Sequence, residues 1–436
     1  MEEKQSDSKS KVSIYLHVVD PLVGDVYKVV SMLYKIEMDR DKYENPTPLP
    51  RILHPNSTEL DLPVIRPVYI FNHEDMHYPL GMSFVNLGSK LYFMGGSVSY
   101  KSHLLGLSFY TNELDDKYSN GIGHPVCNAF EDYLECFPPH VYVFDCITSQ
   151  LLSPKDCGIP PMNTGKPSDP ITFVLDDQIF VLSSCNGPKG MIHFETFNPI
   201  SKKWKEWKKL NTSSLGEDFF SEKKTAVGSA VMGRKLFVTY HFWDDFHMLF
   251  YDIDSDNWTH SKSSYLPEIY RDSVFVDNVL YSTVNEPLQH TPKKYLNPVL
   301  SFDGFDPTNI DMKSFTQSDV LKKYKPICPG DMANWPIYVD QFGYSTRCLL
   351  HLGGFLNGTN KNSRCLGLVE LFKSYGQASE SGVEYETQCE LRFVVFEALE
   401  GNTSDGSSNG RTIHACHFSS DLSDICFLNS ACVYSG

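Results

Sequence analysis

Apolar residues in this chain come in short runs, and the runs come in pairs. A run of apolar character, a tight polar turn and a second run occur at residues 83–96 (SFVNLGSKLYFMGG), 171–184 (ITFVLDDQIFVLSS), 228–240 (GSAVMGRKLFVTY) and 272–284 (DSVFVDNVLYSTV). The turns are Gly88-Ser89, Asp176-Asp177, Gly233-Arg234 and Asp277-Asn278. Glycine enters positive φ without a Cβ clash, and Asp and Asn tolerate it better than other side chains, so each pair is predicted to be a β-hairpin.

A second pattern follows the hairpins: an aromatic-rich strand ending in Asp or Asn, with a bulky apolar residue six positions later. It reads VYVFDCITSQL (Asp145, Leu151), HFETFNPISKKW (Asn198, Trp204) and LFYDIDSDNW (Asp252, Trp258), with a weaker copy in FDGFDPTNIDM (Asp306, Met312). The acid or amide can bond back into the turn that follows, and the residue six on can pack the outer strand against a neighbouring sheet. Two hairpins in succession make a four-stranded antiparallel unit.

The chain ends extend the pattern. Near the N-terminus SIYLHVVDPLVGDV repeats the second signature at Asp20 and Val26 with no hairpin before it, and SDICFLNSACVYS at 423–435 reads as a strand pair with nothing after it. Joined, they predict one blade built from both termini, which closes a ring and removes an exposed sheet edge. Four units begin near residues 83, 171, 228 and 272; a fifth is assembled from 337–354, 391–398 and 412–418; the closing blade is the sixth. Residues 26–38 fit both helical and strand periods, and a seventh blade follows if they form strands with PVYIF at 67–71. The expected fold is therefore all-β: a six-bladed, or in that case seven-bladed, β-propeller occupying residues 12–436 as one domain behind a polar, disordered tail at 1–11.

These residues resemble the kelch-type β-propellers, in particular the plant kelch-repeat and F-box-kelch proteins. The resemblance rests on GSKLYFMGG (88–96), on FNPISKKW ending at Trp204, on YDIDSDNW ending at Trp258 and on LLHLGG (349–354). It covers residues 83–315 best. The double glycine stands at Gly95-Gly96 and Gly353-Gly354, whereas other copies hold Ser183-Ser184, Tyr240-His241 and Val284-Asn285. Plant relatives often join the ring to a helical F-box; the proline-broken stretch at 48–67 is not such a module, so the chain reads as kelch-like without an F-box. Nitrile-specifier relatives carry an E-x3-D-x3-H iron pattern, which this chain matches at Glu268 and Asp272 but not at Val276, where the histidine would stand.

Composition bounds what such a ring can do. The chain has 436 residues, 41% hydrophobic, 13% aromatic and 21% charged, with a formal net charge of −16. That field repels phosphate backbones, so nucleic acid is not an expected partner. No window approaches the roughly 18 apolar residues of a membrane span, and the polar start is not a signal peptide, so a soluble, monomeric, cytoplasmic or nuclear protein is expected. The 12 cysteines include no CxxC pair and are read as reduced thiols. Five N-x-[ST] sequons, beginning at Asn56, Asn211, Asn257, Asn357 and Asn402, are read as chance matches.

Candidate chemistry is sparse. His73, Glu74 and His77 spell HExxH, the zinc-protease pattern, but Pro67 and Pro79 bracket a loop too short for the helix that would set both histidines on one metal. Fe or Zn enters only through this string or the incomplete iron pattern, and no cofactor is expected. There is no G-x-S-x-G elbow, and Gly165-Lys166 is followed by Pro167, so there is no phosphate loop. The Lys-rich stretch at 201–210 reads as a protected outer strand. Turns inside hairpins are read as short, and the links between hairpins and between blades as long (97–140, 153–170, 210–224, 286–298, 315–335 and 355–390), which gathers them on one face, the usual seat of binding. On that face His241, Trp243, Asp244, His247, Glu268, Arg271 and Asp272 are the ligand-binding candidates. The expected function is recognition of a protein or small molecule there; the alternative is an enzyme or specifier-like factor of plant specialised metabolism with its site at the channel mouth.

Overall fold

The computed structural model describes residues 11–21, 29–39, 64–72, 78–101, 126–127, 133–152, 156–167, 169–184, 192–207, 225–242, 245–263, 273–283, 299–303, 324–329, 346–353, 364–375, 387–402, 408–420 and 427–435. The chain opens with β1 (Lys11–Pro21), β2 (Val29–Asp39) and β3 (Tyr69–Asn72). Blade II holds β4 (Ser83–Leu87) and β5 (Lys90–Met94); an inserted three-stranded sheet of β6 (Val98–Lys101), β7 (Val126–Cys127) and β8 (Tyr133–Cys136) precedes its β9 (Val141–Asp145) and β10 (Gln150–Leu152). Blade III is β11 (Ile171–Leu175), β12 (Gln178–Leu182), β13 (Phe194–Asn198) and β14 (Lys203–Glu206). Blade IV is β15 (Thr225–Met232), β16 (Lys235–Phe242), β17 (Asp245–Asp252) and β18 (Asn257–Ser263). Blade V is β19 (Val274–Val276), β20 (Val279–Thr283), β21 (Val299–Asp303) and β22 (Tyr324–Pro329), and blade VI is β23 (Thr346–His351), β24 (Cys365–Tyr375), β25 (Thr387–Asn402) and β26 (Ser408–Ser420). The last strand, β27 (Phe427–Ser435), joins the first three in the order β27-β1-β2-β3 as blade I. Four sheets of four strands and one 8-stranded sheet, which is blades V and VI joined at their outer strands by the parallel pairing of β22 and β26, make six blades.

The ring closes through both termini, as the sequence predicts, but the division differs. One C-terminal strand, β27, is innermost and packs between β4 and β23, and three N-terminal strands follow it. The expected C-terminal strand pair is a single strand. Lys11–Pro21 therefore takes the second place in its blade, not the third place its Asp20 signature implied. Residues 29–39 do form a strand that pairs with Tyr69–Asn72, yet these complete blade I rather than make a seventh blade. Two strands were hidden in stretches read as links: β24 within 355–390 and β22 within 315–335. Pro326 and Pro329 in β22 and Gly367 in β24 are residues that read locally as loop, so the local pattern did not mark these strands.

Local chemistry sets the hairpins. Asp176, Asp177, Asp277, Asn278, Gly88 and Gly233 all have positive φ, between 49° and 62°. Two consecutive positive values at the Asp-Asp and Asp-Asn turns, against one at the glycine turns, match the two mirror-image turn types whose twist suits paired strands. At the third-to-fourth strand turns the Oδ1 atoms of Asp145, Asn198 and Asp252 each accept backbone N–H bonds from the residues two and three positions on, at 2.9–3.1 Å. Each turn then ends on a positive-φ residue, Ser149, Lys202 or Asp256. In blade V the equivalent strand ends at Asp303, opposite Val279, so the signature position is Asp303, and the predicted Asp306 and Met312 lie outside the described residues.

The residues six positions on behave as the pattern required. Leu151 packs against the cluster between blades I and II, Trp204 against that between II and III, and Trp258 against that between III and IV. Trp204 also donates from Nε1 to the Pro160 carbonyl at 2.9 Å. Phe84 and Phe93, and likewise Phe173 and Phe180, are cross-strand pairs stacked at 5.0 and 4.9 Å, each worth about 0.5–1.5 kcal/mol beyond its burial. Gly95 and Gly96, both at positive φ, end β5 where the chain crosses beneath neighbouring backbone: a Cβ on Gly95 would stand 2.5 Å from Pro170 Cγ and one on Gly96 2.6 Å from the Leu80 carbonyl.

Candidate functional site

In every blade the first strand is innermost. Turns joining first to second and third to fourth strands therefore lie on a lower face, and links from second to third strand and from blade to blade lie on an upper face. The upper links are long at 95–140, 153–170, 207–224, 284–298 and 330–345. The lower face is not uniformly short, however: residues 40–68, 304–323 and 352–364 join lower ends in blades I, V and VI. The contrast of faces holds cleanly for blades II and III only; in blade IV the upper link from β16 to β17 is itself two residues, 243–244.

The predicted binding residues are placed only in part. His241 is in β16 opposite Phe246, and His247 is in β17 opposite Tyr240, so both stand beside the upper turn of blade IV. Trp243, Asp244, Glu268, Arg271 and Asp272 lie outside the described residues, as do His73, Glu74 and His77. Among the described residues no group of three or more His, Cys, Asp and Glu is arranged to hold a metal ion. Val276, at the missing iron-ligand position, is a buried residue of the blade V–VI cluster. The described cysteines Cys146, Cys157, Cys348, Cys365, Cys416 and Cys432 are thiols not joined in disulfides. Among the described residues no helix is long and apolar enough to cross a membrane.

Two charged clusters occupy the upper half of the ring instead. The first joins the II–III link to blade III. Lys166 and Glu195 are both fully buried and form an ion pair, and Glu195 also accepts the backbone N–H groups of Asn163 at 2.7 Å and Thr164 at 3.0 Å. Lys166 Nζ donates in addition to the Thr164 carbonyl at 2.8 Å. Burial pushes the Lys166 ammonium down from its ordinary range, and the Glu195 carboxylate opposes that shift. The loop is held further by Met162 N–H to the Pro139 carbonyl at 2.8 Å and Asp169 N–H to the Gly81 carbonyl at 2.6 Å. Gly165 leaves no space for a side chain, since a Cβ there would stand 1.7 Å from the Phe137 carbonyl.

The second cluster crosses blade VI. Arg347, Glu370 and Arg392 stand opposite one another on β23, β24 and β25. Arg347 reaches Glu370 Oε1 through Nε and Nη2, both at 2.7 Å, and Arg392 Nη1 reaches Oε2 at 3.3 Å. Their side chains are 12%, 9% and 12% exposed. The row lies one layer above the apolar contact of Leu349, Leu368 and Val394 with blade V, at the end where β23 enters the ring.

The sequence pattern points to neither cluster: Gly165-Lys166-Pro167 fits only a phosphate loop broken by proline, and Glu370 falls within the 355–390 link. The available signal was a charge at an inward position: Glu195 stands, counted back from its signature residue, where the other blades hold the buried Tyr142 and Leu249. Glu370 likewise continues the face of Leu366 and Leu368.

No family profile matches the sequence, and no curated protein matches it. Among solved structures the chain is similar to the periplasmic gluconolactonase PpgL of Pseudomonas aeruginosa, at 12% identity over 94% of this chain and 98% of that one, with a TM-score of 0.36. It is also similar to a putative 6-phosphogluconolactonase of Bacteroides fragilis (8% identity, 98% and 99% coverage, TM-score 0.38) and to a protein of Lactobacillus plantarum (8%, 98% and 99%, 0.38). The assignment of six blades rests on the strand pairing within this chain, which is a six-bladed β-propeller.

Proposed function

We propose that this chain is a kelch-like recognition module that binds a protein partner or a small molecule on its upper face. The observation that supports it is the change of chemistry along the blade V–VI contact. Its lower layers are apolar, and its upper layer is the nearly buried row Arg347–Glu370–Arg392 beside the ring's inner strands. Conserving stability does not call for such a row, because a buried Arg–carboxylate–Arg triad gives little over well-packed apolar residues. The kelch-type reading is supported by the Gly95-Gly96 crossing and by the side-chain-capped turns with Trp204 and Trp258. The net charge of −16 favours ligands other than nucleic acid.

Hydrogen exchange of the purified protein with and without a co-purifying partner or metabolite tests the reading. Protection is expected in the upper links and the ends of β20 and β23. Protection confined to the lower turns at 88–89, 176–177 and 233–234 overturns it.

A further inference from the structure

We infer that the outer edge of blade III binds an acidic, extended segment of a partner protein, which adds to β14 as a further strand. This goes beyond the upper-face reading and does not depend on it. β14 is the last strand of its sheet and pairs only with β13. Just past its end, the Trp207 N–H donates to the Phe194 carbonyl at 2.9 Å. Alternation in an antiparallel ladder therefore turns the peptide groups of Lys203 and Lys205 toward β13 and those of Trp204 away from it. Such an edge takes up an extended segment through main-chain bonds, and the side chains beside it choose which segment.

The choice here is one of charge. Lys202, Lys203 and Lys205 are exposed, and among the described residues none of the three makes an ion pair. By contrast Lys35 is matched by Glu37, Arg234 by Asp176 and Asp254, and Arg364 by Asp277. Side chains two apart share a face of a strand, so Lys203 and Lys205 stand together, and the Lys205 ammonium is held 3.6 Å from the centre of the Trp207 ring. A segment with carboxylates at positions i and i+2 sets one opposite each lysine. Glu206, exposed on the other face, repels carboxylates on its own side of the added strand, so the matched pattern alternates acidic and apolar residues. A second copy of the chain fits poorly: antiparallel pairing of two β14 edges about Trp204 sets Lys203 against Lys205 twice, and like charges directly opposite are destabilising. The lysines that guard the edge against self-pairing thus select an acidic strand. The −16 charge of the whole chain acts weakly here, because fields are screened beyond about 10 Å at 0.1 M salt. Ile200, 91% exposed in the turn that leads into β14, offers an apolar contact at the lower end of the same edge.

A labelled peptide with the core Val-Glu-Val-Glu-Val, read by fluorescence polarisation on the full chain at 0.1 M salt, tests the inference. Saturable binding is expected, with slowed amide exchange at Trp204. It should weaken about tenfold or more in Lys203→Glu/Lys205→Glu, where two attractions become repulsions. Lys203→Gln alone, which leaves Lys205 over Trp207, is expected to weaken it about two- to fivefold. Proline at the central valine of the peptide removes the N–H that the Trp204 carbonyl would accept, and should abolish binding. The inference is overturned if the folded protein does not bind the peptide saturably, or if the double variant binds it as the native chain does. Equal affinity for the proline peptide or for single-stranded DNA overturns it as well, leaving a diffuse cationic patch without strand addition.

Discussion

The two charged clusters of the upper ring differ in composition and in access. Lys166–Glu195 pairs one cation with one carboxylate, both fully buried, and the two backbone N–H groups on Glu195 complete its coordination. Arg347–Glu370–Arg392 sets two cations on one carboxylate and keeps about a tenth of each side chain exposed. A balanced, dry pair can only hold parts of the protein together, here the II–III link against blade III. A row that reaches solvent can meet something that is not part of the protein. Burial of charge is thus not itself the mark of a site; the route to solvent is what separates the two clusters.

The largest effect that tests this contrast is expected at Glu195. Glu195→Ala leaves Lys166 buried beside its former partner and orphans two backbone donors, so unfolding by urea should show a loss of about 3–5 kcal/mol. Lys166→Met is expected to cost less, and the double variant less than the sum of the singles, because the two residues act as one unit. Loss of function without loss of stability at either residue would erase the distinction between the clusters.

Next in size, Gly165→Ala is expected to cost about 1–3 kcal/mol or more, since the Phe137 carbonyl must move to admit a methyl group. A melting temperature equal to that of the native protein would show that the link is not held as described. Arg392→Met should then cost about 1–2 kcal/mol, since its 3.3 Å contact is the longer of the two on Glu370 and Arg347 stays paired with that carboxylate. A thermal shift as large as that of Lys166→Met would place the row with the structural pair.

The smallest effect concerns the capped turns. Backbone N–H bonds hold the Asp145 and Asp252 carboxyls below their ordinary value of 3.8. A carboxyl whose folded pKa is lowered adds stability above its unfolded pKa and loses it as pH falls through the folded value. Stability should therefore fall slightly on acidification below about pH 4, and Asp145→Asn/Asp252→Asn should remove part of that slope. The blade III turn, capped by Asn198, supplies the internal comparison, since an amide does not titrate there. An unchanged acid slope in the double variant would assign it elsewhere.

Legibility in the sequence followed the range of the interactions involved. Asp176-Asp177 and Asp277-Asn278 announced their turns because two adjacent residues set the backbone there, and Asp145, Asn198 and Asp252 announced theirs because each bonds within three positions. The long links of blades V and VI were misassigned because β22 and β24 are recognised by partners far along the chain, including the parallel pairing of β22 with β26. The charged row of blade VI was illegible for the same reason: Arg347, Glu370 and Arg392 are spread over three strands and meet only through the sheet register.

The sequence by itself determined the hairpins, their turn chemistry, a propeller of six or seven blades and the sharing of one blade by both termini, since the repeats that encode them are short in range. Only the tertiary structure decided that β27 alone closes the ring and that residues 29–39 belong with it, because strand order depends on which distant edge is left to pair. It also decided which charges are fully buried and which reach solvent, a property of neighbours that the chain brings together from separate strands and links.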